Sequence, residues 1–169
     1  MAVNRKSEVL NGSSVFLEGV GFISTTADAK IPKIEFEGFS VKSGLAEHHI
    51  DSTVLKAMEA EFGLNEVNDV YFEALAKRKG EQATIWVKKT SSQGTTDHQT
   101  VVTLKGHATS FEPPNDEIGK EYKASFNFAV DFYKYEIDGV EKFLIDVDNL
   151  ICRINGVDLW EDSRNFLLG

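Results

Sequence analysis

YKYEIDGVEKFLID, residues 133–146, is the stretch that decides the fold class. A segment rich in Tyr and Ile leads into Asp138-Gly139 and continues as a segment rich in Phe, Leu and Ile. Asp-Gly is typical of the two-residue hairpin turn, because both central residues of that turn need a positive φ. Asn155-Gly156 repeats the signal. We therefore predict that the C-terminal third forms consecutive β-hairpins and carries no catalytic residue.

Length and charge set the broad class. The chain has 169 residues, so residues 1–169 are predicted to form a single domain with a substantial core. Twelve Phe residues favour pleated, half-buried strands over helices. Eighteen basic and 27 acidic residues give a net charge of −9. This charge argues against a nucleic-acid binder, which would show a basic face, and against docking on an anionic membrane.

The ends of the chain and its cysteine bear on its location. Cys152 is the single cysteine, which excludes an internal disulfide, and it lies in a strand-like run where a buried or half-buried thiol is expected. The N-terminus lacks the apolar segment of a signal peptide, and no apolar run reaches the length of a membrane span. We expect a protein without a membrane anchor that folds in a bacterial or host cytoplasm.

Two polar segments are predicted to be irregular. Residues 1–13 are expected to form an N-terminal arm or loop. Residues 37–51 are expected to form a long loop or a loosely paired extension, because Gly and Ser residues interrupt them. Between these segments, residues 15–23 predict a tight hairpin with Gly19 at a position of positive φ.

One segment is ambiguous and one is predicted to be helical. Residues 53–67 fit either helical spacing or an amphipathic strand, and we choose the strand only because of the family resemblance given below. Residues 68–79 form the clearest helix, because Asn68 suits the N-cap and three basic residues occupy the last turn. Gly80 follows as the residue that ends it.

Residues 120–137 are unusually long for one strand, and their alternation changes phase. Apolar residues first occupy one parity and then the other; the first set is Phe126, Phe128, Val130 and Phe132, and the second is Tyr133, Tyr135 and Ile137. Such a change implies a bulge, or a strand whose halves bury opposite faces as it joins a neighbouring sheet. The whole pattern predicts a mainly β protein, an antiparallel β-sandwich or barrel with one helix and a long hairpin.

Candidate chemistry is weak. His48-His49, with Glu47 and Asp51 nearby, invites a metal site, but adjacent side chains on a strand point to opposite faces. Clustered carboxylates could serve glycoside hydrolysis, although Asp beside a hairpin commonly serves turn geometry; they are Asp146, Asp148, Asp158, Glu136 and Glu141. Since no nucleophile or phosphate-binding motif accompanies them, we predict no catalytic residue, no metal and no cofactor.

An ordered set of short motifs resembles a known family. VFLEGVGF at 15–22 looks like the opening hairpin of the major tail tube proteins of contractile-tailed bacteriophages and R-type pyocins. IPKI at 31–34 resembles their Leu-Pro-Lys-Leu run, MEAEF at 58–62 a strand before their helix, and TLKG at 103–106 their Thr-Leu-Arg-Gly. The end of the chain, 133–169, is the most similar part.

This resemblance implies a structural subunit. Such proteins form six-membered rings that stack into a hollow tube inside a contractile sheath, and each subunit lends strands to a continuous inner β-barrel. The implied partners are other copies of the chain, the sheath protein, and the tape-measure and baseplate or tube-initiator proteins. In a phage the tube conducts DNA, which transits without specific binding. The implied location is a virion tail or a phage-tail-like particle.

The resemblance also assigns residues to contacts. Inter-ring or inter-subunit contacts are assigned to Phe39, Val41 and Leu45 of the 37–51 segment and to Phe132, Tyr133 and Tyr135 of the long strand. The alternative for the first three is that they cover the subunit's own core. Asp131 and Glu136 are assigned to the lumen. Asp69 and Glu73 of the helix are assigned to the sheath, although a solvated helix face is the alternative.

Three other functions stay open at this point. A type VI secretion tube protein would share the fold and the ring. A β-barrel module for a small apolar ligand would be a monomer with an apolar cavity and would leave the phase change of the long strand unexplained. A hydrolase would depend on Asp146 or Asp158.

Overall fold

The computed structural model describes residues 7–19, 21–24, 29–64, 69, 72, 76, 77 and 81–169. Within these residues the chain forms twelve strands and a C-terminal helix, Glu161–Leu168. The strands are β1 (Val9–Leu17), β2 (Gly21–Ser24), β3 (Ala29–Lys30), β4 (Phe36–Lys42), β5 (Glu47–Leu55), β6 (Met58–Leu64), β7 (Ala83–Gln93), β8 (Thr96–Glu112), β9 (Ala124–Ile137), β10 (Val140–Asp146), β11 (Ile151–Ile154) and β12 (Val157–Asp158). The predicted mainly β, antiparallel fold is confirmed.

Ten strands form one antiparallel sheet. Its main path runs β12-β11-β10-β9-β8-β7-β1-β2, and β6 joins β9 beside β10 while β3 joins β6. Over the described residues this path ends at β2 and β12, so the sheet does not close on itself. The remaining two strands, β4 and β5, pair with each other as a separate two-stranded sheet.

The core is built from rows of side chains that cross the sheet. One row crosses six strands, and each member is at most 5% exposed: Leu17, Ile85, Leu104, Tyr133, Ile145 and Cys152. Each such side chain contributes about 1.5–3 kcal/mol on burial. Met58, Ala60 and Phe62 of β6, the strand that pairs with β9, are buried in the same core, and Phe62 contacts two rings of β9. The alternation of strand residues therefore specifies the buried face.

The phase change in β9 is a bulge. Lys105 of β8 pairs with Phe132 and Gly106 pairs with Val130, so Asp131 is the extra residue. Before the bulge β9 pairs with β6, and after it with β10, while β8 pairs along the other edge. Both edges of the long strand are thus paired within the chain, which favours the bulge over a strand lent to another sheet.

Gly106 is required at this bulge. A Cβ built on Gly106 would lie 1.8 Å from the carbonyl oxygen of Ala129 on β9. The two backbones therefore approach each other more closely than any other residue would permit. The Thr-Leu-Lys-Gly motif at 103–106 consequently has a packing role within the subunit.

Two segments that were predicted to be irregular contain strands. Of the two alternatives for residues 37–51, the structure has the paired extension and not the loop, because β4 and β5 pair from Phe36 and Leu55 at the base to Lys42 and Glu47 near the tip, with a register shift between Phe36 and Gly38. The predicted arm at 1–13 is wrong from Val9 onwards, since β1 begins there and pairs with β7. Gly and Ser weaken a strand locally, but cross-strand pairing overrides that preference.

Several further predictions can be compared with the structure. The strand chosen within 53–67 is confirmed as β6, and the hairpin at 15–23 is confirmed with Gly19 at φ 80°. The helix predicted at 68–79 falls largely outside the described residues, although Asp69 and Phe72 are helical. The C-terminal helix was not predicted; the sequence signal was a pair of acidic residues in its first turn and Gly169 at its end.

Candidate assembly surfaces

The two-stranded sheet β4–β5, residues 36–55, projects from the body of the subunit, and we call it the hairpin arm. At its base Phe36 and Leu55 pack against the core. The backbone N–H of Lys56 donates to the carbonyl oxygen of Glu35 at 2.8 Å. Hydrogen bonds from Lys33 and Lys56, whose ammonium groups each lie 2.5 Å from the carboxylate, lower the pKa of Glu35 to about 2. The base is therefore anchored by both apolar and ionic contacts.

The hairpin arm has one apolar and one polar face. Phe39 pairs with Ile50 and Val41 with His48, which puts these four side chains on one face. The opposite face carries polar pairs, namely Ser40 with His49 and Lys42 with Glu47. Phe39 is 59% exposed and Val41 42%, so the apolar face is open to solvent. A two-stranded sheet without a second layer is marginally stable in water, and an uncovered apolar face favours a partner.

The tip of the hairpin arm presents Leu45, which is 99% exposed. Ser43 orders this turn, because its backbone N–H and its hydroxyl each donate to the carbonyl oxygen of Ala46 at 2.8 Å. His48 Nε2 lies 3.3 Å from the same hydroxyl. The structure thus brings the predicted contact residues Phe39, Val41 and Leu45 together on one projecting element and keeps all three off the subunit's own core.

A cleft of about 220 Å³, which we call the base cleft, lies between the base of the hairpin arm and the C-terminal hairpin. Its walls are Thr53, Val54 and Leu55 on one side and residues 145–147, 150–152 and Trp160 on the other. The indole N–H of Trp160 donates to the carbonyl oxygen of Thr53 at 2.7 Å and joins the two sides. This contact between Trp160 and Thr53 was not predicted from the sequence.

Asp158 holds the cleft wall in place. Its carboxylate accepts from Arg164 Nη1 at 2.7 Å and from the backbone N–H of Trp160 at 3.0 Å, and Arg164 also donates to the carbonyl oxygen of Leu150. Burial opposes ionisation of Asp158, but these hydrogen bonds lower its pKa overall. Asp146 accepts from the backbone and side-chain nitrogens of Asn149. Both carboxylates therefore serve turn and helix geometry.

The predicted lumen acids are not brought together. Asp131 lies at the bulge, with Gln82 Nε2 3.4 Å away and His107 Nδ1 4.0 Å away. Glu136 lies further along β9, where Lys134 Nζ is 2.9 Å from its carboxylate. Glu136 shares a cross-strand row with Val101, which alternates with the buried rows, so it lies on the face opposite the core. Its charge is locally offset, and its exposure to a lumen stays a prediction.

The predicted contact residues of the long strand differ in burial. Tyr133 is 3% exposed and packs edge-on against Phe143 at a centroid distance of 4.7 Å, and burial raises the pKa of its phenol. Tyr135 is half-buried and stacks on the ring of Phe143 at a centroid distance of 5.1 Å. Phe132 is half-buried beneath the ammonium of Lys105. Tyr133 is thus a core residue, which corrects its assignment to a subunit interface; Phe132 and Tyr135 are partly accessible.

The β9–β10 turn is clamped to β8 by Asp138. Its carboxylate accepts from the Gln99 backbone N–H at 2.8 Å and lies 2.7 Å from His98 Nδ1. The Gln99 and His98 hydrogen bonds lower the pKa of Asp138, and Asp138 in turn raises the pKa of His98. This clamp fixes the hairpin that the Asp-Gly turn predicted, with Asp138 at φ 51° and Gly139 at φ 77°.

The remaining predictions concern the acids of the helix, the single cysteine, metal ligands and membrane spans. Asp69 is exposed, and Glu73 lies outside the described residues, so contact of either with a sheath stays a prediction. Cys152 is buried as predicted, and burial raises the pKa of its thiol. In the described part of the chain no three His, Cys, Asp or Glu side chains are grouped as metal ligands. No helix there is long and apolar enough to cross a membrane.

Comparison with known proteins adds a family and a fold. The sequence model of the phage tail tube protein FII family matches residues 7–167. The structure is similar to a chain of an extracellular contractile injection system, the PVC sheath/tube terminator in its extended state, with a TM-score of 0.54 and 10% identity over 80% of this chain and 96% of that one. It is also similar to a chain of the anti-feeding prophage baseplate, with a TM-score of 0.47 and 10% identity over 83% of this chain and 99% of that one. No curated protein matches.

Proposed function

The chain belongs to the phage tail tube protein FII family, and from that premise we propose that its copies close into six-membered rings that stack into the hollow tube of a contractile tail. A tail tube protein is a structural component of a phage tail or tail-like particle and not an enzyme. The observation that carries the proposal is the hairpin arm, which exposes an apolar face beside a subunit whose own core is complete. Copies of the chain are the occupants that cover this face.

The open edges of the main sheet support closure into rings. The main sheet ends at β2 and β12 within the described residues, and unpaired strand edges favour pairing with another chain. Contacts between different surfaces of identical subunits close into a ring when the rotation between them divides a full turn. We propose that each subunit lends part of its main sheet to a shared inner wall, with Phe132 and Tyr135 near the contacts between subunits.

The charge of the chain supports passage of DNA without binding. A net charge of −9 opposes phosphate contacts, whereas a basic lumen would bind DNA through counterion release. Asp131 and Glu136 are our candidates for the lumen, and Lys134 reduces the contribution of Glu136. The proposed partners are the sheath protein, which Asp69 and Glu73 would face, and the tape-measure, baseplate or tube-initiator proteins.

A second candidate is a subunit that ends the tube. One similar structure is a sheath/tube terminator, and its chain is matched over 96% of its length. A terminator would form a single ring and bind the last tube ring through one face only. A repeating tube subunit instead needs complementary surfaces on both faces of the ring, and we propose that the hairpin arm and the base cleft supply them.

The small-ligand alternative has little support in the base cleft. Pockets for small molecules usually enclose about 300–1,000 Å³. The base cleft is about 220 Å³ and open on one side.

Negative-stain microscopy with light scattering tests the proposal. Purified protein at high concentration, with its tube initiator present, is expected to form rings and tubes. The double substitution Phe39→Ser/Val41→Ser is expected to abolish tubes while leaving a folded subunit, and Ser40→Ala on the polar face of the hairpin arm is the matched control. A strictly monomeric native protein in the presence of the initiator would contradict the proposal. Single rings that never extend would favour the terminator.

A further inference from the structure

We propose that Leu45, at the tip of the hairpin arm, inserts into the base cleft of a second copy of this chain. The inference rests on the proposed tube function and deepens it by naming the two surfaces that meet when rings stack. The proposed contact pairs Leu45, the most exposed apolar side chain of the hairpin arm, with the apolar base cleft. In each subunit these two surfaces lie at opposite ends of the hairpin arm.

Leu45 has the properties of an inserted side chain. It is 99% exposed, so it makes almost no contact within its own subunit. Ser43 and Ala46 hold the turn through two hydrogen bonds of 2.8 Å, so little conformational freedom remains to be lost when the tip binds. Burial of a leucine side chain from such a fixed turn is favourable.

The base cleft has the properties of a receptor. Apolar side chains form most of its wall, including Val54, Val147, Leu150 and Trp160. The polar groups nearest to it already have partners within the subunit: the Thr53 carbonyl oxygen accepts from Trp160, and the Asp146 carboxylate accepts from Asn149. An entering apolar side chain therefore leaves both of these groups with their hydrogen bonds.

The tip and the cleft cannot meet within one subunit. The paired part of the hairpin arm runs from residue 36 to residue 42, which is roughly 20 Å at about 3.3 Å per residue. Leu45 and the base cleft lie at opposite ends of this span. A contact between different ends of identical copies is heterologous and leaves the same two surfaces free for the next copy. Such a contact either closes into a ring or continues along an axis. Because the proposed rings close through the main sheet, we place this contact between rings, where it continues along the tube.

The size of the contact explains why a ring is needed. A stable pair of proteins uses about 20–30 residues on each side, whereas ten residues line the base cleft. One Leu45 contact is accordingly too small to hold two free subunits together. Several such contacts between two closed rings act together, because formation of the first raises the effective concentration of the others.

Disulfide cross-linking tests this placement. In a Cys152→Ala background, the double variant Leu45→Cys/Val147→Cys is assembled into tubes and oxidised, since Val147 is 49% exposed at the cleft rim. We expect a ladder of covalent dimers, trimers and higher species on non-reducing gels, because each chain then has one donor and one acceptor surface. Each single variant is limited to a dimer. Ser40→Cys/Val147→Cys, with the cysteine on the polar face, is the matched control and is expected to give no ladder.

A second variant gives an independent result. Leu45→Asp is expected to fold with an unchanged Tm, because the side chain is exposed, and to raise the concentration needed for tube formation at least tenfold. Leu45→Met keeps an apolar tip and is expected to assemble normally.

The outcomes separate the two proposals. Native tubes with no ladder in the double variant, or normal tubes from Leu45→Asp, would overturn the Leu45 placement and leave the tube function standing. Failure of the native chain to assemble with its initiator would instead overturn the tube function. A ladder as strong in the Ser40→Cys control would show proximity without insertion and would also reject the placement.

Discussion

The main sheet and the hairpin arm are both antiparallel β-structure, yet only one of them is complete. In the main sheet, buried rows cross up to six strands, and β6, which pairs with β9 in the same sheet, adds Phe62 to the same buried core. In the hairpin arm, one pair of strands carries a largely apolar face that the described residues leave exposed, with Phe39 59% and Ile50 45% accessible. The difference is in whether the apolar face is buried within the subunit and not in the strand pairing itself.

This contrast indicates that the main sheet stabilises the isolated subunit, whereas the hairpin arm is completed by contact with another copy. Long strands that pair on both edges, such as β9, give the subunit its own stability. The hairpin arm contributes little to that stability, because its apolar side chains remain in water until another surface covers them. Substitutions in the two regions should therefore separate folding from assembly.

The largest effect is expected from the core row. Leu104 is fully buried between Ile85 and Tyr133, so Leu104→Ala is expected to destabilise the subunit by about 2–5 kcal/mol. Leu45→Ala, the same change on the hairpin arm, is expected to alter the free energy of unfolding by less than about 0.5 kcal/mol. Urea unfolding followed by tryptophan fluorescence measures both. Equal losses would remove the distinction between the two regions.

Glycines offer a second pair of matched changes. Gly106→Ala puts a Cβ 1.8 Å from the Ala129 carbonyl oxygen and is expected to destabilise the subunit by about 3 kcal/mol. At Gly44, in the tip turn of the hairpin arm, a Cβ meets no atom within 4 Å, so Gly44→Ala is expected to be nearly neutral. Thermal unfolding of both variants provides the measurement. A tolerated alanine at 106 would mean that β8 and β9 do not approach as described.

Loss of the hydrogen bond between Trp160 and Thr53, which joins the hairpin arm to the C-terminal hairpin, is expected to have a smaller effect on stability. Trp160→Phe removes the indole N–H that donates to Thr53 and keeps most of the apolar wall of the base cleft. A lost hydrogen bond of this kind costs about 0.5–1.5 kcal/mol. Limited proteolysis should show faster cleavage within residues 36–55 and unchanged cleavage in the main sheet. Unchanged protection of the hairpin arm would show that Trp160 does not hold its base.

The smallest predicted effect concerns pH. The raised pKa of His98 stabilises the Asp138 clamp below about 6.5, the ordinary value for histidine, and this contribution is lost as the pH rises through the raised value. The lowered pKa of Asp138 stabilises the clamp above about 3.8, and this contribution is lost as the pH falls through the lowered value. Between these limits both groups contribute. Glu8, Asp97 and Lys142 also act on the pair.

Asp138→Asn isolates this effect. Asparagine tolerates the positive φ of the turn and keeps an oxygen that accepts from Gln99, but it removes the charge beside His98. The Tm difference between native protein and variant is expected to be largest between about pH 4 and 6.5 and to shrink on either side. A difference that grows above pH 7 would contradict this sign.

The sequence predicted the features that depend on neighbouring residues. Asp138-Gly139 and Asn155-Gly156 form turns with positive φ at all four positions. The change of apolar parity between Val130 and Tyr133 marked the bulge in β9. These features were readable because the conformation of a turn and the side-chain period of a strand are local properties.

Features that depend on distant pairing were not readable. The sequence left residues 37–51 as either a loop or a loosely paired extension, because their apolar residues form a face only after Phe39 is paired with Ile50 across the turn. The bond between Trp160 and Thr53 joins residues 107 positions apart. The C-terminal helix buries none of its residues, so it has no apolar stripe facing a core for the sequence to display. Tyr133 was misassigned because its burial depends on β10 and β11.

Hydrogen exchange of the free subunit and of the assembled tube tests the central claim most directly. Backbone amides of the hairpin arm, residues 36–55, are expected to exchange rapidly in the free subunit and to gain protection of at least tenfold in the tube, because another copy covers them. Amides of β8 and β9 that already pair on both sides should change little. Equal exchange of the hairpin arm in the two states would contradict the claim that this surface is completed by assembly.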